Sequence, residues 1–305
     1  MIKFSVNNVL NPGAEALTGK GYGDYKFKFL AQGDSWFYFG DFFPWDTTNI
    51  LDAIDLTDAC VVNCALSGRK LSSMVDWNSH PEFWEMLNGR SELRWDALLI
   101  SGGGNDLINM LDVLPRQSGG SRVSQSNRLL LEPSERNPSL SGVDKYISEP
   151  GWIYFSNRIK SEFLNLIHAK ELGVNKEIPV FIHTYDYPTP RNVPAGPMVP
   201  YVTPFGSWMY PPLSSSAYSI PQDDWIELSK HLIDRLATTL EQVVNTNPGK
   251  NLILVNTRNK LTAAALNSVG KDGDWQNEIH PTEDGYIKLA KVWKKELSKQ
   301  FQGIR

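Results

Sequence analysis

The chain has 305 residues, of which 41% are hydrophobic and 21% charged, with a formal net charge of −4. That length and apolar content suffice for one large packed α/β domain and argue against disorder. The acidic balance, with no long basic stripe, speaks against nucleic acid as a partner, and no apolar run approaches the ~20 residues of a membrane span.

Cys60 and Cys64 flank the run Cys60-Val61-Val62-Asn63-Cys64. On a strand their even spacing points both to one face, too far apart for a disulfide. Buried thiols beside a sheet are expected, and no C-x-x-C metal spacing occurs. The N-terminus lacks a continuous apolar stretch of the signal-peptide kind, so a cytoplasmic location is the default expectation.

In chain order, residues 1–25 are rich in Gly, Asn and Lys without a period, and read as an irregular lead-in. A first strand over about 26–33 runs into Gly33-Asp34-Ser35. Gly33 allows a sharp turn there, and Ser35 is expected to open a helix. The aromatic segment Trp36 to Pro44 reads as core or pocket wall. A second strand over 59–66 leads to Ser67-Gly68-Arg69-Lys70, followed by short helices near 70–77 and 81–89. A third strand, Ala97 to Ser101, runs into Gly102-Gly103-Gly104-Asn105-Asp106 and a helix start.

Residues 115–149 show little hydrophobic rhythm; a loop of this length is uncommon in a compact domain and is often a lid or a mobile segment. Apolar spacing at Ile153, Phe155, Ile159, Phe163, Leu166 and Ile167 predicts a helix over 150–172, with Gly173 as its cap. A fourth strand, 179–185, ends in Asp186-Tyr187-Pro188. The proline-rich segment 187–221 reads as a stiff loop over one sheet edge. A long helix over 222–246 and a fifth strand, Leu252 to Asn256, follow. The chain then passes through Asp274, Asn277, Glu278 and His280 into a last helix that starts near Pro281 and Thr282.

Continuous apolar strands alternating with helices predict a parallel sheet covered on both faces. Absent a repeat or a linker, 1–305 reads as a single domain with loop insertions at 115–149 and 187–221. Ser35, Gly68, Asn105 and His280 all fall at or beyond strand C-termini, where open α/β sheets bind ligands. His183 and Asp186 end the fourth strand on the same edge and are candidates for substrate binding; a hydrogen-bonded histidine near a turn is the plain alternative. A metal pair from those two lacks a third ligand of sensible spacing. Ser67-Gly68-Arg69-Lys70 matches S-x-x-K, as does Ser268-Val269-Gly270-Lys271, but neither S-D-N nor K-T-G accompanies them.

The blocks Gly33-Asp34-Ser35, Asn63 to Gly68, Gly103-Gly104-Asn105-Asp106 and His280-Pro281-Thr282 with Gly285 make the chain resemble the SGNH hydrolases, the GDSL-like esterase superfamily. The blocks occur in the family's order over most of the chain. The resemblance implies a three-layer α/β/α sandwich with a flavodoxin-like, five-stranded parallel sheet. It implies a metal-independent, cofactor-free serine esterase that cleaves a small-molecule, glycan or lipid acyl ester through an acyl-enzyme. Ser35 would be nucleophile and His280 general base. The Ser35 N–H, the Gly68 N–H and the Asn105 amide would form the oxyanion hole. An imidazole is needed because a serine hydroxyl is a poor nucleophile until its proton is taken, and a developing oxyanion needs fixed donors.

One position departs from the family. Three residues before the histidine, where an aspartate is usual, stands Asn277. Three readings follow. Asp274 takes the acid's place; or Asn277 or a backbone carbonyl orients His280 in a dyad; or the site is degraded, and the domain binds a carbohydrate or lipid without turning it over. On the first reading Asp274→Asn lowers kcat more than Asn277→Ala.

Overall fold

The computed structural model describes residues 5–8, 24–38, 48–78, 80–88, 93–116, 119–195 and 206–304. The five expected strands are β2 (Phe27–Gly33), β3 (Ala59–Asn63), β4 (Ala97–Ser101), β5 (Val180–His183) and β6 (Leu252–Val255). A sixth, β1 (Ser5–Asn8), comes from the stretch read as irregular. It pairs Ser5 with Cys60 through Asn8 with Asn63 at the sheet's edge. An edge strand has a partner on one side only, so Ser-Val-Asn-Asn can form one without the apolar run that marks a central strand. All pairings are parallel and the order is β1-β3-β2-β4-β5-β6. Without the edge strand this is the flavodoxin-like order.

The strands are apolar because both faces are covered. The helices are α1 (Ile50–Ala53), α2 (Leu71–Met74), α3 (Pro81–Leu87), α4 (Gly104–Leu111), α5 (Glu149–Glu171), α6 (Tyr210–Ser214), α7 (Trp225–Asn245) and α8 (Glu283–Gln300). α1 packs on α8, while α5 packs on α7, α2 and α3. Phe37, Phe181 and His183 meet Trp293 of α8, which places that helix over alternate residues of β5. Phe29, Leu30, Leu98, Leu99, Ile100 and Ile182 are wholly buried in the core. Cys60 and Cys64 are buried free thiols, and burial pushes them up to about 11 and about 12. Among the described residues no helix is long and apolar enough to cross a membrane.

The segment 115–149, read as a lid or a mobile loop, is packed over its described residues. Leu129, Leu130 and Leu131 are buried, and short 3-10 turns form at 125–127, 133–135 and 142–146. The Arg128 guanidinium is fully buried on Glu135, at 2.6 Å from Oε2. Its hydrophobic residues come as one short cluster rather than as a period, so rhythm alone misses this satellite core. The long helix begins only at Trp225, after a 3-10 turn over Gln222–Asp224. α5 ends at Leu172 in right-handed helical geometry, and Gly173 is not among the positive-φ glycines, so the expected left-handed glycine cap is absent.

Candidate active site

Ser35 follows β2 by two residues. It sits in a turn closed by Phe37 N–H and Tyr38 N–H donating to the Asp34 carbonyl, each at 3.1 Å. This turn, rather than a full helix, presents the serine; the part of the aromatic segment from residue 39 lies outside the described residues. Gly33 belongs to β2 and is needed for a close approach. A Cβ there would lie 2.8 Å from Ser101 Cβ.

Asp34 anchors the turn from below. Its carboxylate accepts from Ser101 Oγ at 2.7 Å, Tyr185 Oη at 2.5 Å and Trp36 N–H at 3.1 Å. Burial raises its carboxyl to about 6, against the pull of those three donors. β2, β4 and β5 are thereby joined immediately behind Ser35.

His280 arrives from the other end of the chain. The turn 275–280 is drawn in by Trp36 Nε1, which donates to the Ile279 carbonyl at 3.2 Å. Thr282 caps α8, accepting from Gly285 N–H at 3.2 Å, as the expected helix start requires. Ser35 Oγ then lies 2.9 Å from His280 Nε2. Burial pushes His280 down to about 3, so the ring is held neutral.

The other ring nitrogen, Nδ1, lies 3.0 Å from Asn277 Oδ1. The same oxygen accepts from Ile279 N–H at 3.1 Å and His280 N–H at 2.9 Å. Both of those partners are donors only, so the amide cannot turn its NH2 towards them. Its oxygen therefore faces Nδ1, Nδ1 carries the hydrogen, and Nε2 is left as an acceptor towards Ser35.

Asp274 is engaged elsewhere. Its carboxylate pairs with Lys288 Nζ at 2.7 Å and 2.5 Å and accepts from Thr262 N–H at 2.5 Å. The first of the three readings is corrected accordingly: the third side chain on His280 is Asn277. Asp274 instead closes the loop before α8, because a lysine one turn into that helix competes for its charge.

Asn105 occupies the first turn of α4 and donates from Nδ2 to the Arg69 carbonyl at 3.2 Å. This lays the Gly68–Arg69 loop against it and leaves the second amide hydrogen available. Gly68 has φ +76°, which a residue with a Cβ adopts only at a cost, and its Cα faces open space. Ser35 and Asn105 line one cavity together with Tyr185, Met209, Trp275 and Ile279; exposed Gly68 is not among its walls.

His183 does not reach this cavity. It is fully buried, stacked on Phe37 at 5.7 Å, with Nε2 2.8 Å from Ser101 Oγ. Burial lowers it to about 3. Its position at a strand end suggested the site, but strand alternation turns it to the α8 face. Asp186 does border the cavity. Its carboxylate, however, accepts from Tyr187, Asn259, Lys260 and Leu261 N–H at 2.7–2.8 Å, fixing the loop after β6. His183 is therefore a structural group, while Asp186 borders the cavity as expected but with its carboxylate committed to the loop. Sequence reasoning missed Tyr185, whose hydroxyl holds Asp34 behind Ser35, because it lay within a fourth strand that was read too long.

No family model matches the chain, and no curated protein matches it either. Solved structures do. The lipase Lip_vut3 from a goat rumen metagenome superposes with a TM-score of 0.50 at 11% identity, over 88% of this chain and 96% of its own. A catalytic mutant of an acetylxylan esterase from Geobacillus stearothermophilus gives a TM-score of 0.45 at 14% identity, over 90% and 94%. At such identity the first likeness speaks to the fold, a three-layer α/β/α sandwich around a parallel sheet.

Proposed function

We propose that this chain is a serine ester hydrolase of the SGNH type, a single domain that forms an acyl-enzyme on Ser35. The observation that carries the reading is the line Ser35 Oγ, His280 Nε2, His280 Nδ1, Asn277 Oδ1, with gaps of 2.9 Å and 3.0 Å. Ser35 Oγ attacks the ester carbonyl carbon while His280 Nε2 takes its proton. The oxyanion is received by the Ser35 N–H and the free hydrogen of the Asn105 amide, which border one cavity; the Gly68 N–H, on the exposed loop that Asn105 holds, would complete the hole. As the tetrahedral intermediate collapses, the C–O bond breaks and Nε2–H protonates the departing alcohol. Water, deprotonated by Nε2, then attacks the acyl carbon; the Ser35 Oγ–C bond breaks, Nε2–H returns its proton to Oγ, and the acid leaves. No step requires a metal or a cofactor.

Asn277 was the ground for reading the domain as a binding module. In serine-protease triads an amide for the acid costs about 10⁴ in rate, because the wrong tautomer is favoured. Here two backbone N–H groups hold the amide oxygen on Nδ1, so the tautomer cost falls away and only the missing charge remains. That favours turnover over binding alone. Hydrolysis of p-nitrophenyl acetate and labelling by a fluorophosphonate test the reading. Ser35→Ala is expected to lose both, and unchanged hydrolysis by Ser35→Ala would overturn it.

A further inference from the structure

Glu278 is fully buried two residues before His280. Its carboxylate is ringed by backbone donors from two distant places. Oε1 accepts from Arg191 N–H at 3.1 Å and Tyr210 N–H at 2.7 Å. Oε2 accepts from Met209 N–H at 2.9 Å and from Trp208 N–H. Three consecutive N–H groups on one carboxylate form an anion nest made by the chain's own side chain. Arg191 grips the same turn from outside, donating from Nη2 to the Asn277 carbonyl at 2.8 Å.

This clamp binds the strap 206–214 to the turn that carries His280. Two strap side chains then face the chemistry. Met209 lines the cavity shared by Ser35 and Asn105. Trp208, half-buried, packs its indole nearly perpendicular to the His280 ring, with centroids 5.3 Å apart at 77°. Resting on the acyl-enzyme reading above, the departing alcohol must lie beside His280, since Nε2 protonates it. The half-exposed indole packs against that same ring.

We propose that Glu278 is a positioning residue and Trp208 a specificity-determining one: the Glu278 clamp holds Trp208 as a wall for the alcohol part of the ester, selecting alcohols built on a ring with a flat C–H face. An indole beside a ring of that shape gains dispersion and hydrophobic contact that a short open-chain alcohol cannot make.

The test compares cyclohexyl acetate with ethyl acetate, two alkyl esters of similar leaving-group acidity, on the full chain. The wild type is expected to show a lower KM for cyclohexyl acetate. Trp208→Ala is expected to raise that KM roughly 3- to 10-fold more than the KM for ethyl acetate, the worth of one aromatic contact. Glu278→Gln, which turns an NH2 towards donors, is expected to erode the same preference. Glu278→Asp, which keeps the charge but shortens its reach, is expected to erode it less and serves if the glutamine variant does not fold. A wild type without the preference, or variants that fold and retain it in full, would overturn the proposal. Fluorophosphonate labelling of Ser35 in the wild type keeps the two readings apart. A labelled enzyme indifferent to the ring sinks the wall alone, whereas an unlabelled one sinks the acyl-enzyme.

Discussion

Asn277→Asp should improve this site, and the size of the gain follows from geometry. The amide oxygen that meets Nδ1 at 3.0 Å already accepts from two backbone N–H groups. A carboxylate oxygen takes its place without losing a bond. It adds one negative charge about 4 Å from the centre of the imidazolium, worth roughly 4 kcal/mol at an effective dielectric near 20. At 1.36 kcal/mol per unit, that lifts His280 by about 3 units. Burial now holds His280 at about 3, so the acid limb of kcat/KM should move from near pH 3 to near pH 6. At pH 8, where both forms are neutral, the stronger base should raise kcat; realising half the interaction in the transition state gives roughly 30-fold. The assay is the pH dependence of p-nitrophenyl acetate hydrolysis by wild type and variant. An acid limb that does not move, with kcat unchanged or lower, would refute the placement of Asn277 on Nδ1.

Other outcomes follow from the same contacts. Asn277→Ala should lower kcat more than Asp274→Asn, whose main effect should be a lower Tm from loss of the Lys288 pair and a weaker acceptor for the Thr262 N–H; the opposite order in kcat would return Asp274 to the triad. Asn105→Ala should lower kcat roughly 10²–10³-fold with little change in KM, read from steady-state kinetics. Asp186→Ala should cost about 2 kcal/mol in urea unfolding, because it removes the charged acceptor of three N–H groups in the loop after β6. For Glu135, burial pushes the carboxyl up, but the Arg128 guanidinium and the Glu132 N–H bring it down to about 2. Its folded value is thus below its unfolded one, so its contribution is complete above pH 4.5 and drains away as pH falls towards 2. The stability gap between wild type and Glu135→Gln should close over that window; a gap constant from pH 7 to pH 3 would contradict it.

Much of the scaffold is written locally. Continuous apolar runs such as Ala97 to Ser101 mark buried parallel strands because both faces of such a strand meet helices. Parallel strands send all their C-termini to one edge, so Ser35, Asn105 and His280 could be placed together from order alone. Thr282 with Gly285 marks the start of α8 through the hydrogen bond that one residue offers another three positions on. These features depend on neighbours in the chain or on the period of a strand, and both are visible in a string of letters.

Choices between chemically similar groups were not written there. Asp274 and Asn277 stand three residues apart, and only the folded loop shows that Lys288 draws away the acid while two N–H groups point the amide at Nδ1. His183 and Asp186 share a strand end with the site, yet the alternation of β5 sends one to the core, and the loop 259–261 occupies the other. Glu278 gathers N–H groups from up to 87 positions away, a partnership that leaves no mark on the residues beside it. Sequence by itself determined where strands end and which residue types gather there. Tertiary structure decided what each polar group touches, because a hydrogen bond is settled within about 3 Å of space and carries no memory of distance along the chain.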